Sequence, residues 1–190
     1  GIGVIGQASA MSQEMFPGRI TPIAAAGFVG LMSLFNMGGR FFWATTSDYI
    51  GRKQTYVVFF LLGILLYAAV PTTAHAGSIV LFVLFYCVIL SMYGGGFSTI
   101  PAYLKDIFGV QYVGAIHGRL LTAWSAAGIF GPVLVNYIRQ YQIDHGVSKA
   151  NAYTVTMYIM AGLLLIGLIC NYLVRAVHER HYMKPQESQA

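Results

Sequence analysis

The chain has 190 residues, of which 57% are hydrophobic and only 9% charged, with a net charge of +5. Soluble domains usually carry about a quarter charged residues, so this composition excludes a water-soluble globular protein. The positive balance needs no nucleic acid to explain it, because membrane proteins gather Lys and Arg in the loops that stay cytoplasmic.

The apolar residues fall in runs close to the roughly 20 residues that a helix needs to cross a bilayer. Abundant Gly and little polar alternation favour helices over a barrel. In chain order, residues 1–11 read as the end of a spanning helix whose beginning is missing, since GIGVIG lacks the basic segment of a signal peptide. The chain is therefore expected to be part of a longer protein. A link over 12–19 leads to a second helix, about 22–46, with Pro22 in its first turn. The stretch SDYIGRK follows as a loop, then a third helix over about 54–73 and a tight turn at AHAGS. The fourth helix covers about 79–103 and is expected to break near Pro101. LKDIFGVQY links it to the fifth, about 113–138, and RQYQIDHGVSK is the longest polar link. A sixth helix, about 152–174, ends the membrane bundle (1–174), and 175–190 form a polar tail.

Six spans alternate sides, so the cations select an orientation. Arg52, Lys53, Lys105, Arg175, Arg180 and Lys184 share one side, against Arg19, Arg139 and Lys149 on the other. The richer side, with the tail, is expected in the cytoplasm of a cell inner (plasma) membrane. Cys87 and Cys170 lie inside apolar runs and suggest neither a disulfide nor a metal site.

Two arginines remain inside helices. Arg40 precedes Asp48 by eight residues and so sits about 12 Å deeper; Arg119 lies roughly 10 Å past Tyr112. A charge at mid-membrane costs about 2.5–3.5 kcal/mol on insertion scales. Glu14, Asp106 and Asp144 read as link residues, so no acidic side chain is deep enough to pair with either arginine. A small organic anion would supply the opposite charge; snorkelling to the interface is the alternative. Asn36 and Trp43 flank Arg40 on one helix face as a pocket edge. His117, the sole histidine inside a predicted helix, could carry a coupling proton. Gly94 to Gly96 with Pro101, and Gly128, Gly131 and Pro132, mark helices that pack closely and can bend. Of the many Tyr and Phe residues, only Tyr93 is assigned to the site, most others being expected to face lipid or its interface. The chain carries no phosphate-binding loop, metal-ligand spacing or nucleophile elbow, so no ATPase, hydrolase or cofactor is expected.

The pattern Asp48-x-x-Gly51-Arg52-Lys53 between two helices resembles the signature loop of the major facilitator superfamily. NMGGRFFWATTSDYIGRK and GVQYVGAIHGRLLTAWSAAGIFGPVLVNY are similar to the oxalate/formate antiporter group within it. The resemblance implies an all-α fold forming the C-terminal half, helices seven to twelve, which would face a missing N-terminal six-helix half. It implies that Asp48, Gly51, Arg52 and Lys53 act as a cytoplasmic latch; from charge alone, Asp48 is expected to cap a neighbouring helix start, and an ordinary positive-inside loop is the alternative. It also implies a substrate-binding Arg on the eighth helix, which Arg40 matches, and a Lys on the eleventh. That Lys is absent, with Trp124 in its approximate place in LLTAWSAAG. Arg119, five residues nearer the cytoplasm, is the candidate substitute. One deep cation suits formate, lactate or pyruvate better than oxalate. A proton-coupled monocarboxylate symporter and a non-transporting membrane subunit remain the alternatives.

Overall fold

The computed structural model describes residues 5–178, and every regular element among them is a helix. The order is α1 (Ala8–Met15), α2 (Pro22–Ile50), α3 (Arg52–His75), α4 (Ile79–Phe108), α5 (Val113–Asp144) and α6 (Thr154–Leu173). The last five are long and apolar enough to cross a membrane. Residues 1–4 and most of the tail, 179–190, lie outside the described residues.

Local chemistry sets the helix starts. Thr21 accepts the Ala24 N–H at 3.2 Å with Pro22 in the first turn, and Ser78 accepts the Leu81 N–H in the same way, satisfying donors that a helix start leaves free. The ends run further than expected. α4 passes through Pro101 without a break and reaches Phe108, and α5 absorbs the first half of RQYQIDHGVSK. His75, expected outside a helix, closes α3. The loop SDYIGRK shrinks to Gly51, whose φ of +88° makes the turn that a side chain would strain.

The helices pair chiefly as α2 with α4 and α3 with α6. Lipid tails are as apolar as the helix surfaces, so close packing rather than water exclusion holds such pairs. Between α2 and α4 the packing is backbone on backbone. A Cβ on Gly39 would lie 2.1 Å from the Ser91 carbonyl oxygen, and one on Gly94 would lie 2.0 Å from that of Asn36. Gly95 leaves room for Trp43, whose Cβ would be 2.5 Å away. Ser98 Oγ then donates to the Arg40 carbonyl at 3.0 Å. Between α3 and α6, Gly167 seats the Phe60 ring. Near the starts of α4 and α6 a fully buried cluster of Met11, Phe82, Tyr86 and Met157 joins α1, α4 and α6, with the Tyr86 hydroxyl 3.4 Å from both methionine sulfurs.

α5 packs least: of its 32 residues only Val135 is buried. Its C-terminal end is held by an ion pair. Arg139 donates through Nε to Glu14 at 2.7 Å and through Nη2 to the second carboxylate oxygen, while the Tyr153 hydroxyl donates to Glu14 at 2.8 Å. Glu14 thus ends a helix and binds Arg139 and Tyr153, instead of lying in a link as the sequence suggested. Burial opposes its ionisation, but the hydrogen bonds from Arg139 and Tyr153 outweigh that, and its carboxyl titrates below the usual range. Burial and the Glu14 carboxylate push the Tyr153 phenol well up.

Two tests follow from these contacts, both on the full-length protein. Gly39→Ala should destabilise by about 1–3 kcal/mol, because the added methyl overpacks backbone. Gly38→Ala, whose methyl would meet nothing within 4 Å, should stay within about 0.5 kcal/mol of wild type or gain slightly. Equal thermal stability of the two variants would contradict the close α2–α4 contact. The Glu14 carboxyl is depressed by folding, so its stabilisation is complete above about pH 4.5 and fades as pH falls through the lower folded value. The melting-temperature gap between wild type and Glu14→Gln should accordingly narrow on acidification toward about pH 3, and a constant gap would refute the clamp.

Candidate functional site

The α2–α4 contact fixes which way the α2 residues face. Gly39 is buried against α4, so Arg40, the next residue, turns outward and is exposed. Neither the Arg40 nor the Arg119 guanidinium has a hydrogen bond or ion pair with any described residue. Arg119 is likewise exposed, on α5. Asn36 is half-buried, with its backbone carbonyl under Gly94. Trp43 is not a pocket edge. It fills the room beside Gly95, meets the Phe59 ring edge-on at 5.0 Å, and donates from Nε1 to Ser91 Oγ at 3.3 Å. An i+3 spacing from Arg40 put it near the arginine in sequence, but the glycines opposite drew it into the helix contact.

The other candidates meet around a cavity of about 300 Å³ between α3, α4, α5 and α6. Trp124 on α5 donates from Nε1 to the Tyr93 hydroxyl of α4 at 2.9 Å. Phe97 joins them edge-on, its ring 5.3 Å from Tyr93 and 5.5 Å from Trp124. His117 lines the same space, and its Nδ1 is buried without a hydrogen-bond partner. Tyr56, Phe59 and Phe60 of α3 also face it, which corrects the expectation that aromatics other than Tyr93 take no part in a site. Arg40, Asn36 and Arg119 do not line this cavity. The sequence candidates therefore divide into exposed cations on α2 and α5 and an aromatic group between α4 and α5.

At the α2–α3 junction, Asp48 stands in the last turn of α2 and Arg52 and Lys53 in the first turn of α3. Each charge has the wrong sign for its own helix dipole, so each needs an outside partner. Arg52 Nη2 pairs with Asp48 Oδ1 at 2.5 Å and Nη1 donates to Ser47 Oγ at 3.2 Å. Asp48 is thereby occupied, and neither α3 nor α5 has a side-chain cap at its start; the expected capping of a neighbouring helix by Asp48 is not formed. Lys53 instead reaches the end of α6, donating from Nζ to the Val174 and Tyr172 carbonyls at 2.7 and 3.0 Å. Cations at a helix C-terminus are favourable, so this contact has the right polarity. Asn171 completes it, donating to the Lys53 carbonyl at 3.3 Å and accepting from the Tyr103 hydroxyl at 2.9 Å. Asn171 and Tyr103 carried no recognisable motif; only their helical register could have hinted at an inward polar pair.

The Major Facilitator Superfamily matches residues 21–189. Over 103 residues the chain is 35% identical to a protein named "Oxalate:formate antiporter" from Oxalobacter formigenes. That stretch is 54% of this chain but 24% of the relative, so the chain spans well under two thirds of it. No solved structure matches significantly. The all-helical bundle is consistent with one half of the family's fold. The chain belongs to the Major Facilitator Superfamily, a family of membrane transporters rather than enzymes.

Proposed function

We propose that the protein carries a small organic anion across a membrane by alternating access, with Arg40 as the group that receives the carboxylate. The observation that carries this reading is the Arg40 guanidinium, exposed on an apolar helix with no acidic partner among the described residues. In a bilayer such a charge is costly unless it faces water or an opposite charge. The face that presents it would meet a second six-helix half across a central path, a geometry typical of transporters built from paired repeats. Asn36 lies beside it on α2. Arg119 provides a second cation nearer the cytoplasm. The relative's name supports formate or oxalate as cargo. The absence of a lysine in LLTAWSAAG favours a monocarboxylate, formate, lactate or pyruvate, over oxalate.

Asp48, Gly51, Arg52 and Lys53 would serve as the cytoplasmic latch, holding α2, α3 and α6 together in one state and releasing them in another. This assigns the tail to the cytoplasm and the protein to the plasma membrane. A second reading, proton-coupled symport, draws on the unpartnered His117 Nδ1.

The test is uptake of labelled formate, lactate and oxalate by the reconstituted full-length protein. A charge-assisted contact is worth about 1.5–3 kcal/mol, so Arg40→Ala should lower uptake of the true substrate about 10- to 100-fold. Arg40→Lys should retain more. Unchanged uptake in Arg40→Ala would overturn the reading, and uptake driven by an acid-outside gradient and lost in His117→Gln would favour symport.

A further inference from the structure

We propose that the cavity between α3, α4, α5 and α6 binds an uncharged phenol-like aromatic molecule of one or two rings, at a site apart from the one proposed for the anion. Its volume, about 300 Å³, lies at the lower end of small-molecule sites. The walls are aromatic and aliphatic, and no Lys, Arg, Asp or Glu lines it. An anion there would meet no Lys or Arg to pair with, so the walls favour an uncharged ligand. Apolar walls of this kind take up aromatic guests.

One polar group at the α4–α5 side defines the rest of the ligand. His117 Nδ1 is buried and unpartnered. By contrast, the Tyr93 hydroxyl accepts from Trp124 and the Tyr56 hydroxyl donates to the Gly96 carbonyl at 2.7 Å. A phenolic O–H suits the free nitrogen, donating its proton to it. A lipid tail would fill the space and leave that nitrogen unpaired. Gly96 keeps the room open. A Cβ on Gly96 would meet only the Tyr56 hydroxyl, at 3.9 Å, so a larger side chain there would enter the cavity.

The test uses the purified full-length protein, with 1-naphthol and naphthalene as probes in equilibrium dialysis. Naphthol should bind saturably and naphthalene about fivefold or more weaker, the loss expected for a missing hydrogen bond. His117→Ala should weaken naphthol by about the same factor and leave naphthalene unchanged. Gly96→Leu should remove binding of both; Leu121→Trp, another cavity-filling change, replaces it if that variant does not fold. Arg40→Ala should leave naphthol binding intact, which separates this site from the proposed anion site. Absence of saturable binding would overturn the proposal. So would equal binding of both probes that His117→Ala does not alter, or loss of naphthol binding in Arg40→Ala.

Discussion

Backbone contact between α2 and α4 sets the position of every other feature at this site. Gly39 and Gly94 each lie where a Cβ would penetrate a carbonyl oxygen of the facing helix. Lipid offers no hydrophobic drive for helix pairing, so close approach made possible by small residues takes its place. Once Gly39 faces α4, the 100° step of the helix turns Arg40 to the open face of the bundle. Ser98 fastens the level of that turn through the Arg40 carbonyl. Arg40 is exposed because its neighbour must be buried.

α5 obeys the opposite rule. It is long and lightly packed, with an ion pair near its C-terminal end, and its N-terminal half borders a cavity rather than a core. The clamp at that end joins Glu14 to two residues more than a hundred positions later, Arg139 and Tyr153. A half-buried ion pair with a third hydrogen-bond donor is costly to break on one side, because the remaining charge is left unpaired. The α2–α3 turn uses a different device. There, charges placed against their own helix dipoles are paired across the Gly51 turn or passed to the end of α6.

Much of the fold was legible. Helix count, order and class followed from apolar run length, and Thr21-Pro22 and the Gly51 turn marked real boundaries. The helix ends were read short because polar residues in membrane proteins often continue a helix past the hydrocarbon; residues 139–144 do so in α5. Pro101 did not stop α4, since neighbouring helices and side chains can accommodate a proline inside a span. The site was legible in part. The lack of a partner for Arg40 followed from counting carboxylates, although Glu14 proved to be a helical residue engaged by a different arginine. Trp43 was misplaced because periodicity along one helix says nothing about glycines on the next. Likewise, the aromatic cavity depends on how four helices meet, and no single stretch of sequence encodes that.

The central claim is that Arg40 is held open for an anion. Thermal stability of the purified full-length protein, titrated with formate, lactate and oxalate, tests it most directly, because a ligand that binds only the folded state raises the melting temperature with its concentration. The account predicts that at least one of these anions stabilises the wild type and that Arg40→Gln loses this shift while keeping its own unliganded melting temperature. An equal anion-dependent shift in both proteins would contradict it.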